Sequence, residues 1–159
     1  MPVTVVCVGK LRERFFADAA AEYLKRLRRL MPVTAIEVPD EPEPVQPGEV
    51  QNEMTLRREG ERILARLSDR DHVIALCVGA RQYESPELAA RLDGLFTQGK
   101  SHIAFVIGGS LGLHPSVLQR ADERMSMSRM TFPHQLARVM LLEQLFRAAK
   151  INAGERYHK

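Results

Sequence analysis

An α/β fold built on a parallel sheet is what this sequence predicts, on three observations. Strand-like and helix-like segments alternate along the whole chain, the pattern of crossover connections between parallel strands. The strand segments are continuously apolar or β-branched, as suits strands covered on both faces; Val3-Thr4-Val5-Val6-Cys7-Val8 and Ile103-Ala104-Phe105-Val106-Ile107 show it best. A chain of 159 residues, 45% of them hydrophobic, suffices for one sizeable core but is short for two, so a single domain over residues 1–159 is expected.

The first strand, residues 3–8, is closed by Gly9. A helix follows, because Phe15, Phe16, Ala19, Ala20, Tyr23, Leu24, Leu27 and Leu30 recur at three- and four-residue spacing until Pro32 stops it. Residues 33–38 read as a second strand. Pro39-Asp40-Glu41-Pro42-Glu43-Pro44 with Pro47-Gly48 then makes an acidic, proline-rich loop, for which mobility is the expectation. Helical periodicity returns over 50–67, and 72–78 is a third strand ended by Gly79. Ser85-Pro86-Glu87 offers an N-cap, a proline at the first helical position and an early acid, so a helix should run to about Gln98 before Gly99. The fourth strand, 103–107, runs into Gly108-Gly109-Ser110-Leu111-Gly112. Pro115 can open a short helix, and 124–129 reads as a fifth strand. From Pro133 an amphipathic helix carries Leu136, Val139, Met140, Leu142, Leu145 and Phe146, leaving a polar tail from Asn152.

Net charge is +3, which permits a polyanionic partner without requiring one. Its distribution is uneven: residues 113–159 hold eight Lys or Arg against four Asp or Glu. Cys7 and Cys77 each lie in an apolar run and read as buried reduced thiols. No apolar stretch approaches a membrane span and no signal-peptide pattern opens the chain, so a soluble, cytoplasmic protein without membrane partners is expected.

Ligands of parallel sheets bind at the carboxyl ends of strands, which directs attention to the loops after Val78, Ile107 and Met127. Two glycines directly after a strand let the backbone turn sharply and approach a flat ligand. The segment lacks the Lys-Ser/Thr ending of a P-loop and does not fit GxGxxG, so a neutral pocket with backbone donors is a better reading than a phosphate cradle. Met125, Met127, Met130 and Met140 read mainly as core filler, with a cofactor-lining role as the alternative. The five histidines show no zinc-type spacing, so no metal is expected. Glu143 and Arg147 read as an exposed ion pair. His134 and Arg138 fall in the first turns of the last helix, near the ligand end of the sheet, where substrate or anion binding is the alternative to a surface role. Glu155-Arg156-Tyr157-His158-Lys159 reads as a frayed tail, with a base-stacking and phosphate-gripping alternative.

Taken together, Val8-Gly9-Lys10-Leu11, Phe105-Val106-Ile107-Gly108-Gly109-Ser110 with Gly112-Leu113, the run Ser126-Met127-Ser128-Arg129-Met130-Thr131-Phe132-Pro133-His134-Gln135 and the ending Tyr157-His158-Lys159 resemble the RlmH family of bacterial 23S rRNA (pseudouridine-N3)-methyltransferases, in the SPOUT superfamily. The resemblance covers essentially the whole chain. It implies a SPOUT α/β-knot, a parallel sheet flanked by helices whose carboxyl-terminal part forms a trefoil knot. It further implies a homodimer that binds S-adenosyl-L-methionine and methylates N3 of a pseudouridine in 23S rRNA of the assembled ribosome. Carried over by motif, Leu76, Gly108, Met127, Ser128, Arg129, Met130, Thr131 and Phe132 would hold the cofactor. Tyr157, His158 and Lys159 would hold the base, with Arg138 and His134 as further candidates. Some relatives carry an acid in the glycine turn where this chain has Ser110-Leu111, which leaves the proton acceptor unassigned. A ribosome-binding factor without catalysis, using a nucleoside pocket, is the competing expectation.

Overall fold

The computed structural model describes residues 2–46 and 48–159; Pro47, expected in the proline-rich loop, lies outside them. Ten elements alternate: β1 (Val3–Val8), α1 (Arg14–Leu27), β2 (Val33–Val38), α2 (Glu49–Leu64), β3 (His72–Gln82), α3 (Ser85–Thr97), β4 (Ile103–Ile107), α4 (Pro115–Arg120), β5 (Glu123–Ser126) and α5 (His134–Asn152). The five strands form one parallel sheet in the order β2-β1-β4-β3-β5.

Side chains alternate across each strand, so the sheet buries two cores. Val3, Val5, Cys7, Ile74, Phe105 and Ile107 face a layer of α1, α3 and α5, whereas Val6, Val8, Val73, Ala104 and Val106 face Ile63 of α2 and Val117 of α4. Every residue of β1 and β4 is buried, which explains why these strands show no polar alternation. Helix α5 packs against both α1 and α3. Its buried residues Leu141, Leu142, Leu145, Phe146 and Ala148 therefore wrap around it, and the expected single apolar stripe is broader than the spacing suggested.

Several boundaries differ from expectation for identifiable reasons. Gly79 does not end β3: at φ +75 it sits within an excursion where the register against β5 shifts between Leu76 and Arg81, and the strand resumes to Gln82. Helix α3 is capped by Glu84 instead of Ser85, through a capping box in which the Glu84 amide donates to Glu87 at 2.7 Å; the Ser85 hydroxyl donates to Gln144 Oε1. Helices α1 and α2 stop three residues before their last apolar positions, and β5 is displaced to 123–126. The acidic loop begins pinned, not loose: Arg62 donates to the Pro39 carbonyl and pairs with Glu41, and the Glu41 amide donates to Glu59 Oε2 at 3.0 Å.

Candidate active site

The carboxyl ends of β3, β4 and β5 enclose a cavity of about 350 Å³. From β3 come Leu76 and the excursion residues Cys77 and Val78; from β4, Gly108 and the turn that follows; from β5, Met127, Ser128, Met130, Thr131 and Phe132. Helix α5 closes it with His134 and Ala137. All the residues expected to hold a cofactor are brought together here except Arg129, which is exposed and does not wall the cavity. The methionines divide by depth: Met125 is core, Met127 lines the cavity, Met140 lines a neighbouring one and Met130 stands exposed at the rim.

Two local devices shape these walls. Gly109 and Gly112 form an isolated bridge, with the Gly112 amide donating to the Gly109 carbonyl at 3.1 Å and Gly112 at φ +86. This closed turn folds back over Gly108. After β5, the Ser126 hydroxyl donates to the Ser128 carbonyl at 2.7 Å, and the Ser128 hydroxyl accepts from the Met130 amide at 3.0 Å. Ser128 thus fixes the loop's shape with the hydroxyl that a ligand would otherwise use.

No Lys, Arg, Asp or Glu is among the described residues that wall the cavity. A triphosphate would find no counter-charge there. An adenine ring finds apolar cover and a methyl-bearing sulfonium finds polarizable thioether neighbours, with a few polar groups, in a volume typical of small-molecule sites. The cavity therefore fits S-adenosyl-L-methionine in size and chemistry.

The remaining expectations are redistributed. Arg138 is only 3% exposed, and its guanidinium is committed to Glu37 Oε2 at 2.6 Å and to the Gly9 carbonyl at 2.7 Å, with Nε left unpartnered. It ties α5 to the ends of β1 and β2, so its place in the fold is a positioning one and not the contact with a substrate base that its spacing suggested. Cys7 is buried, which pushes its thiol up to about 12, far from a nucleophile. Cys77 is not buried as expected, because the β3 excursion turns it toward the cavity wall.

The tail is docked, not frayed. Gly154 at φ +71 and the Glu155 amide bonding the Lys150 carbonyl reverse the chain at the end of α5. Tyr157 then packs edge-on against Phe146 at 4.8 Å, lies 4.8 Å under the Arg147 guanidinium, and donates its hydroxyl to Glu143 Oε1 at 3.2 Å. His158 Nδ1 is 3.2 Å from the same guanidinium. Glu143 and Arg147 are consequently half-buried, not an exposed surface pair, and burial followed by the neighbouring Glu143 carboxylate raises the Tyr157 phenol. Tyr157, His158 and Lys159 do not wall the 350 Å³ cavity of their own chain. Glu143 instead lines an adjoining cavity of about 380 Å³ that shares Ser126 and Met127 with it.

The fold agrees with what known proteins show. A family model described as "Predicted SPOUT methyltransferase" matches residues 1–158. The chain belongs to the SPOUT methyltransferase family. Proteins named ribosomal RNA large subunit methyltransferase H are similar to it over the full length of both chains: 52% identical in Bifidobacterium animalis subsp. lactis, 50% in Listeria welshimeri and 49% in Exiguobacterium sibiricum. A methylase family protein of Haemophilus influenzae shares the fold with a TM-score of 0.54 at 16% identity, covering 99% of this chain and 70% of its own. One from Neisseria gonorrhoeae gives 0.53 at 14%, covering 99% and 86%. Like its family, this SPOUT chain is a methyltransferase by descent.

Sequence reasoning missed Glu59. It is 5% exposed at the centre of α2, where burial raises its carboxyl above the usual range while the Glu41 amide opposes the shift. The available signal was the next residue. A glycine inside a helix costs about 0.5–1 kcal/mol against alanine, and at Gly60 an added Cβ would meet His114 Cβ at 3.1 Å, so the glycine marks the close approach of α4. His72 and His102 are spent at the opposite end of the sheet, on Glu123 and Asp71, and His114 caps α4. Among the described residues no group of three or more His, Cys, Asp or Glu is placed to hold a metal, and no helix is long and apolar enough to cross a membrane.

Proposed function

We propose that this SPOUT methyltransferase transfers a methyl group from S-adenosyl-L-methionine to N3 of a pseudouridine in 23S rRNA. The reading takes the assembled ribosome as substrate, a homodimer as the working unit and the cytoplasm as the compartment. The observation that carries it is the neutral cavity at the ends of β3, β4 and β5, walled by Leu76, Gly108 and the loop from Met127 to Phe132. Full-length identity of about half the residues to proteins named for large-subunit rRNA methylation supports the substrate class. The trefoil knot implied by the resemblance belongs to the same reading.

When bound, the cofactor supplies an electrophilic methyl group on a sulfonium. The protein's part is to hold that group in line with the ring nitrogen and to keep water from the path. Leu76, Met127 and Phe132 supply apolar cover, and the Gly108 backbone allows close approach. The basic carboxyl-terminal third gives the long-range attraction that an rRNA substrate rewards. The tail residues Tyr157, His158 and Lys159 hold the substrate base. Glu143 and Arg147 order two of them: Tyr157 donates its hydroxyl to Glu143, and His158 contacts the Arg147 guanidinium.

Titration calorimetry of the purified protein with S-adenosyl-L-methionine tests the cofactor half of this reading. Saturable binding is expected. A folded protein that gives no heat of binding with this cofactor would count decisively against it.

A further inference from the structure

A second cleft, of about 760 Å³, lies at the ends of β1 and β2, lined among others by Lys10, Asp40, Glu59, Ser110 and Gln135. It meets the cofactor cavity along a common wall of three residues: Gly109, Leu111 and His134 belong to both. A glycine and a leucine cannot exchange protons. The imidazole of His134 can, and of the chain's five histidines it alone stands where the two spaces join.

We propose that the methyl-accepting base enters through this cleft and that His134 takes its N3 proton, an assignment that rests on the function proposed above. N3 of pseudouridine is flanked by two carbonyls and carries a hydrogen that must leave for the ring to stay neutral after methylation. In the balanced step the N3 electron pair forms the N–CH₃ bond and the S–CH₃ pair returns to sulfur, leaving S-adenosylhomocysteine. The N3 proton moves to the imidazole lone pair and afterwards to water.

The surroundings keep that lone pair available. Burial lowers the pKa of His134, the Arg138 guanidinium on the next turn of α5 lowers it further, and Asp40 after β2 opposes them. Lys10 after β1 and Glu59 from α2 face the same cleft. Arg138 cannot swing away, being held by Glu37 and the Gly9 carbonyl. His134 is also the first residue of α5, where the positive end of the helix disfavours an imidazolium. The sign follows: a depressed pKa makes the ring neutral, and able to accept a proton, down to a lower pH than an ordinary histidine.

The test compares wild type with His134→Gln and His134→Ala in single-turnover transfer to ribosomes from cells lacking the gene, as a function of pH, with cofactor affinity measured alongside. Transfer at neutral pH is expected to fall by about 100-fold or more in both variants, the loss of a general base, with cofactor affinity unchanged. The wild-type rate should rise with pH to a plateau below the ordinary histidine range. The variants should lack that limb, and added imidazole should restore activity to His134→Ala. A proton NMR titration of His134 in wild type gives the pKa without any variant, and a value that does not coincide with the kinetic limb overturns the assignment. So does an active variant that keeps the limb, or a loss that merely follows lost cofactor binding. A wild type that transfers no methyl group overturns the underlying function, and this assignment with it.

Discussion

Gly108→Ala will weaken cofactor binding about 100-fold and cost the fold as well. A Cβ at this position would stand 2.2 Å from the Gly112 carbonyl oxygen and 2.6 Å from its carbon, and both are backbone atoms that cannot rotate aside. The turn over Gly108 must open, breaking the bridge between Gly109 and Gly112 that shapes the cavity wall. Overpacking of this kind costs about 1–3 kcal/mol or more in stability. A comparable loss at the site weakens S-adenosyl-L-methionine by about 100-fold, since each 1.4 kcal/mol is a factor of ten. Calorimetry and thermal melting measure both. Gly94→Ala is the internal control: it lies in α3 with nothing within 4 Å of the added carbon, so it should leave binding unchanged and stabilise by about 0.5–1 kcal/mol.

Deleting residues 157–159 should reduce rRNA methylation by about 100-fold or more, the effect of losing a group that positions the substrate, while the cofactor still binds. The docked tail adds a stability component. Removing Tyr157 loses an edge-on aromatic pair and a cation–π contact, together about 1–2 kcal/mol, so melting should fall by a few degrees while the protein still folds. Tyr157→Phe separates the two roles. It keeps the packing on Phe146 and Arg147 and removes only the hydrogen bond to Glu143, and so should melt closer to wild type than the truncated protein does. Full methylation by the truncated protein would return these residues to a packing role alone.

The strands β1 and β4 were legible to the residue, because a strand buried on both faces leaves an uninterrupted apolar or β-branched run with a polar or glycine boundary; β2, whose burial is mixed, was legible because Pro32 and Pro39 bracket it. Gly79 misled for a physical reason: a positive-φ glycine inside a bulge has the same local signature as one that stops a strand, and only the pairing with β5 distinguishes them. The three loops that wall the 350 Å³ cavity were picked out by the rule that parallel sheets bind ligands at their carboxyl ends, and the family resemblance supplied the residues proposed to hold a cofactor there. Arg138 was misread because its partners are remote, 101 and 129 residues away, so spacing along one helix says nothing of them. The tail was discounted for a similar reason. Its anchor is a reversal at Gly154 that lays Tyr157 on a helix face already passed, and local composition carries no trace of that return. Glu59 and the cleft it lines came only from the assembly of β1, β2, α2 and the Gly109 turn.

Where the methyl group goes decides between an rRNA methyltransferase and a factor without catalysis. Ribosomes from cells lacking the gene, incubated with the purified protein and S-adenosyl-L-methionine carrying a deuterated methyl group, should yield one new labelled nucleoside on digestion and mass spectrometry of the 23S rRNA. That nucleoside is predicted to be N3-methylated pseudouridine. Ribosome binding with no labelled nucleoside would contradict the account in favour of a factor without catalysis, and label on any other position would contradict the substrate.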